Sequence, residues 1–233
     1  MLRKGSLIRK DKAVKNEYIK TTLILILSLL FAAFLGLKPP AAVPTQEKPE
    51  GAIQSEWPEM DFTAAYDKFR GRDFAGAAQE IRKGADFLEA ASEHSEGKPR
   101  EDLLRSYEEL KRLSGDIENG NEKSAANLRE AFSRAHKSLA EYYHARLKAS
   151  WLRKDTDRAG RELKTAVSNL EKGVSWADRQ IEADTAKVIG ESRDLAERLY
   201  RKAQWTSEEV EKKITELGEE LKKRGDYSTR TKK

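Results

Sequence analysis

Proline placement is the strongest constraint on what this chain can fold into. Five of the six prolines fall at Pro39, Pro40, Pro44, Pro49 and Pro58, and only Pro99 follows. Proline removes a backbone donor and breaks helix interiors, so a proline-free run leaves long helices open. Apolar residues then decide the matter, recurring every three or four positions after Pro58, which marks helices with one buried face. Asp61 is placed to cap a first short helix ending at Gly71, and a second spans about 73–94 with Phe74, Ala77, Ala78, Ile81, Ala85 and Leu88 on one face. Gly97 and Pro99 open a third, with Leu103, Leu110 and Ile117 spaced seven apart; Gly120 ends it and Asn121 is the expected cap of the next. A fourth covers about 122–154, striped by Leu128, Phe132, Ala135, Leu139, Tyr143 and Leu147.

The last stretch keeps the spacing longest. After a cap at Asp155 or Thr156 come Leu163, Val167, Leu170, Val174, Ala177, Ile181, Val188, Leu195 and Leu199, then Val210, Ile214, Leu217 and Leu221. A period near 3.5 over this length predicts one very long, coiled-coil-like C-terminal helix. Thr206-Ser207-Glu208-Glu209 fits a capping box, and Trp205 with Val210 fits a hydrophobic staple, so a helix start, as a bend or a full break, is expected there. The fold class expected for 59–224 is therefore all-α, with antiparallel helical hairpins or a bundle. A polar, basic tail follows at 225–233.

The N-terminal third reads differently. Residues 21–37 are uncharged and apolar, about 25 Å long as a helix, enough for a short membrane span. Seven basic residues stand against two acidic ones in 1–20, a net of +5 that equals the charge of the whole chain. A basic leader before an apolar span predicts a cytoplasmic N-terminus and an exported remainder. The long leader and poor cleavage options favour an uncleaved transmembrane signal-anchor over a cleaved signal peptide, which stays open as the alternative. Residues 38–58, rich in proline, read as a semi-stiff linker between inner or cell membrane and a periplasmic or other extracytoplasmic domain. Beyond the leader the charge is near balance, with acids and bases interleaved, which speaks against a nucleic-acid partner.

Two stretches echo each other 82 residues apart: "FRGRDFAGAAQEIRKGADFLE" from Phe69 and "WLRKDTDRAGRELKTAVSNLE" from Trp151. Asp73/Asp155, Ala77/Ala159, Glu80/Glu162, Leu88/Leu170 and Glu89/Glu171 are identical. "GRDFAGAA" resembles the turn of tetratricopeptide-type helical hairpins, where a glycine, an aromatic and an alanine join two helices. That resemblance implies helical hairpins and a groove for a protein partner. The spacing of 82 residues departs from that family's repeat of about 34, and Thr156 stands where the first copy has Phe74.

Chemistry is sparse. The absence of cysteine excludes disulfides, thiolate metal sites and a cysteine nucleophile. His94, His136 and His144 lack the three- or four-residue spacing of helical metal pairs, so neither a metal nor a cofactor is expected, nor an enzyme. Of the four tryptophans, Trp57 beside Pro58 is expected to dock on the domain. The leading expectation is a membrane-anchored interaction or scaffold protein that binds a protein partner or itself through 163–221. Two alternatives are a ligand-sensing ectodomain using His136, Tyr142 and Tyr143, and a lipid-contacting protein using its C-terminal helices.

Overall fold

The computed structural model describes residues 60–177 and 180–225, with no side chains described for the last two. The anchor, leader and linker at 1–58, Trp57 among them, and most of the tail at 225–233 lie outside the described residues. By its contacts the chain divides after Pro58, and everything below belongs to the second unit, from Glu59 onward.

Among the described residues the structure is all helical, without strands: α1 (Thr63–Arg70), α2 (Phe74–Glu93), α3 (Gly97–Glu118), α4 (Ala125–Leu152), α5 (Thr156–Trp176), α6 (Ala183–Tyr200) and α7 (Ser207–Gly225). Each helix from α1 to α6 packs on the next, and α7 folds back on both α4 and α6. Short turns between packed neighbours make the pairs antiparallel hairpins. None of these helices is long and apolar enough to cross a membrane.

The echo in the sequence is an echo in backbone geometry. At the end of α1, Arg72 takes φ 63°, its N–H reaches the Phe69 carbonyl at 3.0 Å, and the Asp73 N–H reaches Lys68 at 2.9 Å. At the end of α4, Lys154 takes φ 62° with the same pair of bonds, to Trp151 at 2.9 Å and from Asp155 to Ser150 at 3.0 Å. Both are Schellman turns, which satisfy the last helical carbonyls. In each the next aspartate caps the following helix: Asp73 accepts from the Gly76 N–H at 2.9 Å and Asp155 from the Arg158 N–H at 3.1 Å. Two further Schellman turns end α3, with Gly120 at φ 71° and the Asn121 N–H on Asp116 at 2.8 Å, and α6, with Lys202 at φ 55° and the Ala203 N–H on Arg198 at 2.9 Å.

The stretch from 156 to 225 is three helices, not one very long helix. α5 stops at Trp176, and α6 starts at Ala183 and packs back along α5. The apolar residues of the expected seam gather instead in one core within the chain: Leu163, Val167, Leu170, Val174, Leu195, Leu199, Val210, Ile214, Leu217 and Leu221 are buried together, with Ala140 and Leu147 of α4. Ile189 is buried where Val188 was expected, because α6 sets its own register after the turn. The start near Thr206 is present as a full break. The Thr206 Oγ1 accepts from the Glu209 N–H at 3.2 Å, while the Glu209 carboxylate leaves the cap and pairs with Arg198. At the other cap, Ser124 replaces the expected Asn121 and accepts from the Asn127 N–H at 3.3 Å.

α1 closes the other end of the core. Phe62 just ahead of it is 1% exposed and lies flat on Phe132 of α4, with ring centroids 4.2 Å apart. Gly84 of α2 makes this possible, since a Cβ there would fall 2.4 Å from the Phe62 ring. Asp61 accepts from the Thr63 N–H at 2.8 Å, so it serves the first turn as expected, one residue earlier than the cap position.

Candidate functional site

α4 carries all three residues singled out as candidate ligand contacts, and the structure places them in two surroundings. His136 is fully buried toward the N-terminal end. Its Nδ1 lies 3.0 Å from the Asn169 Oδ1 of α5, and its ring meets the Phe62 ring edge-on at 5.4 Å. This is a hydrogen-bonded core histidine, held by the same packing that seats α1.

Tyr142 and Tyr143 lie farther along α4, with rings 5.0 Å apart and edge to face. Successive residues on a helix point about 100° apart, so they serve different faces. Tyr143 packs on the aliphatic core of α5–α7, and burial pushes its hydroxyl up to about 12, so it stays protonated at any physiological pH. Tyr142 is buried, and its hydroxyl accepts a hydrogen bond from Arg146 Nη1 at 2.7 Å.

Arg146 leads into a partly buried charge cluster between α4 and α5. Its Nε donates to Glu162 Oε1 of α5 at 3.0 Å, and the Nε of Arg158, one turn earlier on α5, donates to the same oxygen at 3.0 Å. Glu162 is 5% exposed, and its second oxygen, Oε2, is buried without a hydrogen bond. Two guanidinium groups thus share one oxygen of one carboxylate, an arrangement with a cation in excess. Charge-assisted bonds of this kind are short and directional, and they hold the α4–α5 pair in register. Burial lowers the pKa of the Arg146 guanidinium, but the Tyr142 oxygen and the Glu162 carboxylate outweigh it and hold it above its ordinary value.

His144 serves neither group. Its Nε2 donates to the Ile214 carbonyl of α7 at 2.8 Å, and its ring occupies the space that Gly218 leaves by lacking a Cβ. Burial holds its pKa below 6.5 against the hydrogen bond, and the nearby Lys148 and Lys222 push the same way as burial. Sequence spacing had only excluded His144 from a metal pair; its contact with a glycine 74 residues later left no local signal. The Arg146–Glu162–Arg158 cluster was also missed, because Arg158 and Glu162 look like an ordinary i,i+4 surface pair and Arg146 has no acid within a turn of it until α4 and α5 are brought together.

Among the described residues no group of three or more histidine, aspartate and glutamate side chains is placed to hold a metal ion. No protein-family model, curated protein or solved structure matches this chain.

Proposed function

We propose that the chain is a membrane-anchored helical interaction protein, held by residues 21–37 with its N-terminus in the cytoplasm and its helical domain exported. The observation that carries the interaction reading is the repeated hairpin turn at Arg72, Lys154 and Lys202. Stacked antiparallel hairpins of this kind present long helix faces side by side, the construction used by helical-repeat scaffolds to hold partner segments. The apolar residues of 163–221 are spent on the chain's own core, so a partner or a second copy would dock on the polar faces, through charge pairs and hydrogen bonds. Crosslinking from photoreactive residues placed along α2 and α4 in the intact membrane-bound protein tests this. Discrete adducts are expected; uniform absence of adducts from both helices would reject a partner. A periplasm-active reporter fused after Lys233 tests the topology, and an inactive reporter would reject the N-in orientation.

A second reading, ligand sensing, is favoured by one observation. The cluster of Tyr142, Arg146, Arg158 and Glu162 has a cation in excess and a buried carboxylate oxygen with no hydrogen bond. A small ligand with an anionic group and a hydrogen-bond donor fits that pattern. A thermal-shift screen with small carboxylates and amino acids tests it. A rise in melting temperature that disappears in Arg146→Gln is expected, and a flat screen counts against sensing.

A further inference from the structure

Among the described residues two large apolar side chains are exposed, Leu152 at 82% and Tyr200 at 59%. They hold the same position in two Schellman turns. Each is the last residue of its helix, followed by an arginine and then by a lysine in the left-handed region: Leu152-Arg153-Lys154 after α4 and Tyr200-Arg201-Lys202 after α6. The related turn after α1 is Arg70-Gly71-Arg72, with no apolar residue at that position. Backbone hydrogen bonds build these turns, so nothing in the turn calls for an exposed leucine or tyrosine.

The two turns are neighbours at one end of the helix stack. Lys202 Nζ lies 3.4 Å from Asp157 Oδ2, the Trp151 and Trp205 rings meet at 5.6 Å, and a Cβ on Gly160 would lie 3.2 Å from the Tyr200 nitrogen. Arg153, Lys154, Arg201 and Lys202 are all exposed around the two apolar side chains. The nearby acids already have roles: Asp155 caps α5, Asp157 holds Lys202, and Glu197 holds Arg201. The tip therefore carries two exposed apolar side chains, two cations without an ion pair among the described residues, Arg153 and Lys154, and two ion-paired ones, Arg201 and Lys202, beside two partly buried tryptophans that pack against the core.

We infer that this tip is a membrane-contact site for an anionic phospholipid surface, into which Leu152 and Tyr200 insert while Arg153 and Lys154 meet the headgroups. Two side chains fall far short of the roughly 800 Å² per partner that a stable protein interface buries. A bilayer needs no such area, because a leucine enters the acyl boundary and a tyrosine settles at headgroup depth. Each basic side chain near an anionic surface adds roughly fivefold in affinity. The site goes beyond the anchor reading and does not depend on it, since the tip lies in the second unit of the chain, with an apolar core of its own.

The chain has no cysteine, so single-cysteine variants take a fluorescent probe at one place only. Full-length protein carrying an environment-sensitive probe at L152C, Y200C or, as a control on another turn, K123C is combined with phosphatidylcholine vesicles, with and without phosphatidylglycerol. Blue-shifted, lipid-quenchable probes at 152 and 200 on anionic vesicles are expected, with K123C unchanged and the shift weakened by salt. Leu152→Ser with Tyr200→Ser, monitored by a probe at 154, should cut the inserted fraction about tenfold, the effect of withdrawing one apolar side chain from lipid or more. Water-exposed probes at 152 and 200 on anionic vesicles overturn the site and leave the tip to a protein partner; equal shifts at 123 overturn it as non-specific adsorption. Alkaline extraction of the same vesicles reports separately on the anchor, so failure of one reading is distinguishable from failure of the other.

Discussion

The two ends of α4 belong to two differently built regions. Around its first half, α1–α3 are locked by shape. Phe62 stacks on Phe132 and fills the space at Gly84, Trp176 meets Phe132 edge-on at 5.2 Å, and small polar pairs such as Ser106 with Ser138 at 2.7 Å close the remaining gaps. Around its second half, α5–α7 share an aliphatic core whose edge is fixed by charge. Lys213, 6% exposed, lies between Glu191 at 2.6 Å and Glu216, and the Thr185 hydroxyl donates to Glu220 at 2.9 Å. Burial works against the Lys213 ammonium, but its two carboxylates outweigh it and raise its pKa. Each region holds a histidine, His136 buried against Phe62 in the first and His144 partly buried against Gly218 in the second, but the α7 edge adds Lys213 between two carboxylates, so charge as well as packing fixes its register. The α7 edge should therefore be the part of the domain that opens first.

The largest break in this contrast should come from Phe62→Ala. It removes a fully buried aromatic and leaves a cavity facing Phe132 and His136, at a cost of about 3–5 kcal/mol. Urea denaturation reads it; a loss below 1 kcal/mol would mean that α1 is dispensable to the first region. Next comes Gly218→Ala, whose new methyl would sit 2.9 Å from the His144 ring. Overpacking of this kind costs about 1–3 kcal/mol. Hydrogen exchange should show faster exchange in α7 while α2 and α3 keep their protection; uniform loss across all helices would erase the contrast.

His144 has a folded pKa below its ordinary 6.5, so unfolding takes up a proton. Its contribution is fully present above pH 6.5 and is lost as pH falls from there toward the folded value. Stability measured at intervals from pH 7.5 to 5 should fall toward acid, and the fall should be shallower in His144→Gln. Identical slopes in both proteins would remove His144 as the source. The smallest change expected is Arg72→Gly. Glycine adopts the left-handed region without the penalty of about 1 kcal/mol that a side chain meets there, so the melting temperature should rise slightly. A clear fall would show that the Arg72 side chain holds contacts that outweigh its backbone strain.

What was legible in the sequence shows what kind of information each element carries. Helix positions in α2, α3 and α4 could be read from their apolar stripes, the start at Thr206 from its capping residues, and the cap of α5 as Asp155 or its neighbour Thr156. The turn between α5 and α6 could not. Ser175-Trp176-Ala177 ends α5 without a glycine or proline, and the apolar spacing runs on through Ala177 and Ile181 as if the helix continued. A hairpin and a straight helix bury the same stripe, one against itself and the other against a second chain, so periodicity alone does not separate them. The cluster at Arg146 and Glu162 was hidden for a related reason. Arg158 and Glu162 form an i,i+4 pair like many exposed ones on this chain, and Arg146, with no acid within a turn of it, joins them only when α4 and α5 fold together.

One distance tests the folding back of the C-terminal helices most directly. Spin labels at Arg153→Cys and Lys202→Cys sit on exposed turns of an otherwise cysteine-free chain. With α5 and α6 antiparallel the two turns adjoin, as the 3.4 Å pair of Lys202 with Asp157 requires, and pulsed dipolar spectroscopy should return a single short distance. A continuous helix across the same stretch would hold the labels about 70 Å apart. That long distance would contradict the folded-back core and return the seam to a coiled coil between chains.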